Sequence, residues 1–588
     1  MKSFFKTLLA SIIGVIVGFV LLFFILLGVV GAMVASGDQP VTIKDNSVLQ
    51  FKFDRDIVDR ASKNPFEGVG LLSMKPVKSL GLNEILNNIR KAKNDDKIKG
   101  IYLDLSILNG GYATAEEIRS ALADFKTSGK FIVAYSNVFS QKAYYLASVA
   151  DKIYLNPEGE LQLLGLRSEI LFYKRALDKL GVEPEIIRHG KFKSAVEPFM
   201  LDKMSPENRE QQLTYMGSIW NEVAKAIATD RKISVDALNN MVNNITIRNG
   251  KSAIDNGLVD SLMYWDQVKK KLCNLSGVDK ESDLNLVSYD DYRKAPEPKG
   301  KKFNKDRIAV IYASGEIGMG DGDNSSIGSE GLSTAIADAR KDSSVKAIVL
   351  RVNSPGGSAL ASEIIWRELE LAKKVKPLIV SMGDVAASGG YYISAPADVI
   401  VASPTTITGS IGVFGLMFNV QKAMADKLGI TVDVAKTHAH SDMLTMYRPL
   451  TAEERAVMQA GVEDVYHTFT TRVADGRKMD IAKVDEIGGG RVWSGENAKG
   501  LGLVDEFGGL TYAIKVAAQK AGLKGYRILE LPAQKEPFEQ FLQDFSTEAK
   551  IWFLKDDLSE TFKQYTAIKN MLKNQGIEAR MPYDIELY

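Results

Sequence analysis

One serine of the sequence lies where a nucleophile could act. Ser388, in GDVAASGGYYISAPAD, follows an apolar strand-like run and a turn of small residues, and it opens a predicted helix. Small neighbours leave its hydroxyl accessible, and a helix N-terminus directs N–H groups at developing negative charge. The same small residues would also suit tight packing of a strand against a helix, so the local pattern leaves both interpretations open.

Two glycines upstream could complement such a nucleophile. Gly356 and Gly357, in RVNSPGGSA, follow another predicted strand. Glycine lets backbone N–H groups approach a substrate closely, as in an oxyanion hole or along a docking edge for a peptide strand. An ordinary Pro-Gly turn is the alternative interpretation.

A serine nucleophile also needs a base. The GxSxG pattern is absent, and no Ser-His-Asp set is apparent among the four histidines, which are His189, His438, His440 and His467. Lys193, in HGKFKSAVEPF, is a candidate base, because desolvation can lower a lysine pKa from about 10.4 by ~3–5 units. Most lysines are solvated, however, and Lys191 is an equally basic neighbour.

The elements that must position these residues occur twice. KIKGIYLDLS at 97–106 resembles SVKAIVLRVN at 344–353, and KAYYLASVADKIYLNP at 142–157 resembles GGYYISAPADVIVASP at 389–404. Equivalent positions, such as Asp151 and Asp398, differ by 247. The pattern indicates two copies of one domain, at 48–275 and 305–525, separated by a polar, proline-containing linker at 276–304. Residues 526–588 lack the repeat, and their amphipathic stretches predict a helical tail.

Within each copy, short β-branched apolar runs alternate with segments of helical spacing, which indicates an α/β fold with a mostly parallel sheet. At the same offset of 247, Gln141 corresponds to Ser388 and Lys193 to His440. The second copy thus has the serine without the lysine, and the first has the lysine without the serine. This complementary loss predicts one composite site.

The N-terminal segment predicts a membrane anchor. Residues 8–37 carry no charged side chain. This uncharged run is longer than the roughly 20 apolar residues that span a bilayer. We predict a cytoplasmic end at 1–7 and a single transmembrane helix at 8–36, with Lys2 and Lys6 keeping the first end in the cytoplasm. The remaining chain would then lie on the extracytoplasmic face. Small residues at 32–36 leave cleavage as a signal peptide open.

Composition narrows the classes of function. The 588 residues include 74 basic and 73 acidic side chains, and a net charge of +1 argues against nucleic acid as a partner. The single cysteine, Cys273, excludes an intramolecular disulfide and any multi-cysteine metal site. The HExxH pattern is absent, which argues against a zinc hydrolase. We predict no metal site and no other cofactor.

Four motifs together resemble the signal peptide peptidase A family in its long, two-repeat form. They are KSAVEPF from residue 193, RVNSPGGS from 351, GDVAASGGYYI from 383 and TGSIGVFG from 408. The resemblance covers the anchor and roughly residues 45–525. It implies two tandem repeats of the Clp-protease/crotonase-like fold, preceded by one transmembrane helix.

The resemblance also implies a site and an activity. Ser388 would be the nucleophile, Lys193 the general base and Ser410 the residue that holds the lysine amine, while the Gly389 N–H and a glycine of Gly356–Gly357 would form the oxyanion hole. The enzyme would degrade released signal peptides and other extended apolar peptides through an acyl-enzyme. It would act as a homotetramer at the inner membrane, with its catalytic body on the periplasmic face.

Two other classes of function stay open from sequence. The crotonase-like fold also serves acyl-CoA enzymes, although an extracytoplasmic location argues against them because acyl-CoA is cytosolic. A catalytically silent membrane scaffold could use the repeats to form a ring. The presence of both Ser388 and Lys193 argues against that second alternative.

Overall fold

The computed structural model describes residues 41–62, 79–298, 304–534 and 576–581, together with scattered positions between 4 and 21. No helix among these described residues is long and apolar enough to cross a membrane. Most of the anchor predicted at 8–36 lies outside them, so its prediction stays a prediction.

The first repeat is built around a six-stranded parallel sheet in the order β8-β6-β5-β4-β1-β9. The strands up to residue 288 are β1 (Ser47–Lys52), β2 (Ile57–Val58), β3 (Leu80–Gly81), β4 (Ile98–Asp104), β5 (Phe131–Phe139), β6 (Lys152–Leu161), β7 (Glu183–Arg188), β8 (Ser261–Leu262) and β9 (Leu286–Ser288). The α-helices of this part are Leu82–Lys93, Tyr112–Lys126, Gln141–Ala147, Lys174–Leu180, Glu197–Met200, Pro206–Arg231, Val235–Asn243, Gly250–Asp255, Trp265–Ser276 and Tyr289–Lys294, with 3₁₀ turns at Ser194–Val196 and Glu281–Asp283.

The second repeat has the corresponding sheet, in the order β19-β17-β15-β13-β10-β21, with β16 between β15 and β20. Its strands are β10 (Arg307–Ser314), β11 (Glu316–Gly318), β12 (Ser326–Gly328), β13 (Val345–Ser354), β14 (Gly356–Ser358), β15 (Leu378–Ala387), β16 (Val399–Ala402), β17 (Ile407–Gly409), β18 (Phe414–Asn419), β19 (Val492–Ser494), β20 (Glu506–Phe507) and β21 (Arg527–Leu531). Its helices are Ser329–Lys341, Ala359–Lys373, Gly389–Ser394, Ala452–Arg477, Ile481–Ile487, Gly495–Gly500 and Leu510–Lys520, with a π-helical turn at Ala423–Leu428.

Both sheets are covered on both faces, which explains their continuous apolar strands. In the first sheet, Leu49 and Ile101 enter the core on one face, and their neighbours Val48 and Tyr102 enter the core on the other. The second sheet is also divided between two cores. The α/β fold predicted from the alternation of apolar runs and helical segments is confirmed.

The repeats extend beyond the boundaries that the sequence indicates. Strand β9 lies inside the predicted linker and pairs in parallel with β1, while β21 lies inside the predicted tail and pairs in parallel with β10. Tyr289 and Tyr292 from the predicted linker are buried in the first core. Each repeat therefore gains an edge strand. A strand of three to five residues has too few apolar positions to stand out from a polar segment.

The predicted helical tail differs from what is described of residues 526–588. The described part consists of β21 and a second strand, β22 (Gly576–Arg580), while residues 535–575 lie outside the described residues. Strand β22 belongs to a third sheet, which draws strands from both repeats in the order β12-β11-β14-β22-β18-β7. Amphipathic spacing in the tail did not predict this pairing, because strand order depends on distant partners.

A buried arginine joins the two repeats. Arg351, on β13, is fully buried, and its Nε lies 2.7 Å from an oxygen of Asp59 in the first repeat. Its Nη1 lies 2.7 Å from an oxygen of Glu117, also in the first repeat, and donates to Ser381 Oγ at 2.9 Å. One cation thus offsets two buried carboxylates across the contact between the repeats.

Replacing this arginine should destabilise the protein strongly. Arg351→Met leaves Asp59 and Glu117 without their cation, and breaking a buried ion pair costs about 3–5 kcal/mol. Arg307→Met is the matched control, because Arg307 is partly exposed and 3.8 Å from Asp342, where an ion pair contributes at most ~1 kcal/mol. Denaturant unfolding measures both free energies. Equal losses in the two variants would contradict the interpretation of Arg351.

Candidate active site

Ser388 has a backbone conformation that few non-glycine residues adopt. It directly follows β15 and precedes the helix Gly389–Ser394, with φ of 54° and ψ of −116°. Such a conformation costs about 1–3 kcal/mol and persists only where its surroundings hold it. Here the Ser388 N–H donates to Gly409 O at 2.8 Å, and Tyr392 N–H donates to Ser388 O at 2.8 Å.

Ser410 lies beside Ser388 because their strands are parallel neighbours. Strands β15 and β17 pair in parallel, with Ala387 opposite Gly409, so the residues that follow leave the sheet at the same edge. Ser410 also has a positive φ, 50°, and is fully buried. The TGSIG segment therefore brings a second hydroxyl to the end of the strand that carries the first.

Lys193 reaches these serines from the other repeat. Its Nζ donates to Ser388 Oγ at 2.9 Å, to Ser410 Oγ at 3.1 Å and to Ser410 O at 3.3 Å. Strand β7, which precedes it, pairs antiparallel with β18 over six residues of each strand. Phe192 N–H then donates to Gly489 O at 3.1 Å, which holds the chain against the second repeat immediately before the lysine. The structure thus joins the two residues that the complementary loss between copies predicted to meet.

The environment of Lys193 favours a neutral amine. The side chain is fully buried, and desolvation lowers the pKa of Lys193 to about 7, although the Glu578 carboxylate acts in the opposite direction. Burial disfavours the charged form of a lysine because water no longer solvates the ammonium. A substantial share of the lysine is therefore unprotonated at neutral pH and can accept a proton from Ser388.

Two glycines make room for the lysine and were not singled out from the sequence. A Cβ on Gly490 would lie 2.6 Å from the N, Cα and Cβ atoms of Lys193, and one on Gly412 would lie 3.3 Å from its Cδ. Gly490 also has φ of 84°. The run of three glycines at 488–490 was the available signal, but their contact with Lys193 depends on the packing between repeats.

The two glycines predicted for the oxyanion hole have different surroundings. A Cβ on Gly356 would lie 2.7 Å from the Gly389 backbone nitrogen, so these two residues are adjacent directly beside Ser388. A Cβ on Gly357 would instead lie 2.1 Å from Ile317 O on β11. Gly356 is therefore the one of the two that lies next to Gly389, although its N–H donates to Ser354 Oγ at 3.2 Å. Gly357 pairs with Ile317 of β11.

In each repeat, the position that corresponds to the dyad residue of the other repeat has different contacts. Gln141, which corresponds to Ser388, is buried, and its amide bonds Tyr112 OH, Gly165 O and the N–H groups of Leu164 and Gly165 at 2.8–3.1 Å. His440, which corresponds to Lys193, contacts Glu453 and Glu454 instead. The position of Gln141 is filled by a fully bonded structural side chain.

The part of the chain that the structure describes contains no group of three or more His, Cys, Asp or Glu side chains that could hold a metal ion. Cys273 is buried and free.

A two-repeat α/β fold with a strained serine beside a buried lysine suits a hydrolase that uses a serine nucleophile. The model of peptidase family S49 matches this sequence twice, at residues 124–279 and 370–524. The chain belongs to peptidase family S49 and is a serine peptidase.

The relatives agree with this assignment. Protease 4 of Salmonella typhi is 42% identical over 458 residues, which cover 76% of this chain and 73% of that protein. The chloroplastic serine protease SPPA of Arabidopsis thaliana is 35% identical over 452 residues, covering 76% and 66%. Among solved structures, a ClpP1 mutant from Listeria monocytogenes overlaps 35% of this chain and 94% of its own, with 15% identity and a TM-score of 0.24. The predicted membership of the two-repeat signal peptide peptidase A family is confirmed by the sequence relatives.

The glycine that faces Lys193 provides a test of the geometry. Gly490→Ala should lower peptide hydrolysis by about 100-fold or more, because a displacement of ~1 Å in a catalytic group has an effect of that size. Gly489→Ala is the matched control, since Gly489 also has a positive φ, 57°, but its Cβ would meet only Gly190 Cα at 3.9 Å. Hydrolysis rates and melting temperatures of both variants separate displacement of the lysine from backbone strain. Equal activities would contradict the proposed crowding.

Proposed function

We propose that Ser388 and Lys193 form the catalytic dyad of this peptidase. The observation that carries the proposal is the 2.9 Å hydrogen bond between the Lys193 amine and the Ser388 hydroxyl, made where both side chains are fully buried. A nucleophile within hydrogen-bond reach of a base whose pKa is near the working pH is the arrangement that general-base catalysis requires.

The reaction follows from this arrangement. Neutral Lys193 takes the Ser388 proton while Oγ attacks the peptide carbonyl. The Gly389 N–H, together with the N–H of Gly356 or Gly357, stabilises the oxyanion. The protonated lysine then gives its proton to the leaving amine, which produces an acyl-enzyme. Water attacks the ester by the same route, and Ser388 is regenerated. Ser410 acts as a positioning residue, since its Oγ and O both accept from the amine.

We further propose the setting in which this chemistry operates. The uncharged run at 8–37 anchors the chain in the inner membrane as a single pass, and the two repeats, each of the Clp-protease/crotonase-like type, lie on the periplasmic face. Released signal peptides and other extended apolar peptides are the substrates, because an anchored enzyme meets them at the membrane surface. The chain assembles as a homotetramer. Family membership and the charge-free run support these proposals.

Covalent labelling tests the dyad. The purified protein should react with a fluorophosphonate probe, and Ser388→Ala should abolish that labelling because the acceptor oxygen is gone. Lys193→Met should slow labelling and peptide hydrolysis by at least about 100-fold, the lower range for loss of a general base. Lys191→Met is the matched control: Lys191 is exposed, and the variant should retain full activity. If Lys191→Met lost activity while Lys193→Met retained it, Lys193 would be excluded as the base.

The pH dependence provides a separate test. A lysine accepts a proton only when it is neutral, so kcat/KM should rise with pH through about 7, the pKa to which burial lowers Lys193, and then level off. The rate is measured with one peptide between pH 5 and 9. His440→Ala should leave the profile unchanged, because that side chain contacts Glu453 and Glu454 instead of Ser388. Loss of the rising limb in His440→Ala would place the base in the second repeat.

A further inference from the structure

A buried glutamine of the first repeat contacts the chain on both sides of Lys193. Gln211 lies on the helix Pro206–Arg231, and its side chain is almost fully buried. Its Nε2 donates to Phe192 O at 3.1 Å and to Ser194 Oγ at 2.8 Å. These two acceptors belong to the residues directly before and after the lysine. One amide therefore restrains both ends of the short segment that carries the base.

The oxygen of the same amide contacts the second repeat. Val492 N–H, on β19, donates to Gln211 Oε1 at 3.1 Å. Strand β19 pairs antiparallel with β17, where Gly409 lies opposite Val492. Gly409 O accepts from Ser388 N–H at 2.8 Å, and Ser410 is the next residue of the chain. A single side chain thus lies between the segment of the base and the strands that position both hydroxyls.

The partners of the Gln211 amide determine its orientation. A backbone N–H only donates and a backbone carbonyl only accepts, so Oε1 must face Val492 and Nε2 must face Phe192. Asn208 Oδ1 also accepts from Nε2, at 3.2 Å, and Asn208 Nδ2 donates to Glu197 Oε2 at 2.8 Å. An apolar side chain at this position would provide neither the acceptor nor the donor.

The corresponding position of the second repeat has no such amide. The helices Pro206–Arg231 and Ala452–Arg477 both have 26 residues, and each begins after a residue whose hydroxyl caps it. Their offset is 452 − 206 = 246, so Gln211 corresponds to Val457, which is exposed. The glutamine is therefore present in the repeat that supplies the candidate base and is replaced in the repeat that supplies the serine.

We propose that Gln211 is a positioning residue, which fixes the Lys193 amine relative to the Ser388 hydroxyl across the contact between the repeats. The proposal rests on the proposed function. The hydrogen bonds of Gln211 go to the residues on either side of the base, to Asn208 and to β19, so it acts on the reaction through Lys193. Proton transfer requires the amine and the hydroxyl to lie within hydrogen-bond reach of each other. The restraint therefore affects the rate of the chemical step and leaves peptide binding unchanged.

Steady-state kinetics of the full chain test the proposal. Gln211→Met keeps the length of the side chain but removes its donors and its acceptor. The value of kcat should fall by about 100-fold, the effect of displacing a catalytic group by ~1 Å, while KM stays within about twofold of the parent value. Gln212→Met is the matched control, because Gln212 is also buried on this helix but its Oε1 accepts from Tyr215 OH within the first repeat. This variant should keep the parent kcat.

The rate of fluorophosphonate labelling separates positioning from misfolding. Gln211→Met should be labelled at Ser388 to the same final extent as the parent chain, but about 100-fold more slowly. A lower final extent at the parent rate would reveal only a loss of folded protein and would contradict a positioning role. If Gln211→Met does not fold, Ser194→Ala decides, because it removes one hydrogen bond of the amide and should lower kcat by about fivefold. An unchanged kcat in that variant would refute the proposal.

The parent chain and its lysine variant separate this proposal from the proposed function. If the parent is labelled at Ser388 and Lys193→Met is labelled slowly, the dyad stands. An unchanged kcat in Gln211→Met would then overturn the positioning role alone. If Lys193→Met instead retained the parent activity, the proposed function would fail, and the positioning role of Gln211 would fail with it.

Discussion

The structure depends on one constraint, which is that the Lys193 amine must be kept away from water while it touches a hydroxyl. A lysine in solvent is protonated at neutral pH and cannot accept a proton. Burial removes the water that would stabilise the protonated amine. The three hydrogen bonds of Nζ go to hydroxyl and carbonyl oxygens, and none of them goes to a carboxylate. The packing of the two repeats against each other provides this buried position.

Two copies of one fold meet this requirement in an asymmetric way. The lysine arrives on a segment of the first repeat that is bonded to β18 and to Gly489 of the second, so the amine is enclosed at the contact between the copies. The contact is further held by Arg351 with its two buried carboxylates, and by Asp384, which accepts from the Thr114 N–H and hydroxyl of the first repeat. Misplacing one repeat would therefore both expose the lysine and break buried ion pairs.

The third sheet brings a further strand of the chain beside these residues. Strand β22 lies between β14 and β18, which both belong to the second repeat, and β7 of the first repeat pairs with the outer edge of β18. An edge strand normally risks unspecific pairing. Here β22 pairs with both β14 and β18, so neither strand presents a free edge beside the strained Ser388 and the buried Lys193.

The sequence by itself determined the repeat and the α/β alternation, because these follow from local patterns and a constant offset. It also singled out Ser388 and Lys193 as candidates, while Ser410 was assigned only through the family resemblance. The edge strands β9 and β21, the role of Gly490 and the docking of β22 were decided only by the tertiary structure. A short strand is stabilised by its partners more than by its own residues, and a glycine is required at a position only when a neighbour approaches it. The depressed pKa of Lys193 has the same origin, since no local pattern shows how far a side chain lies from water once two repeats have packed together.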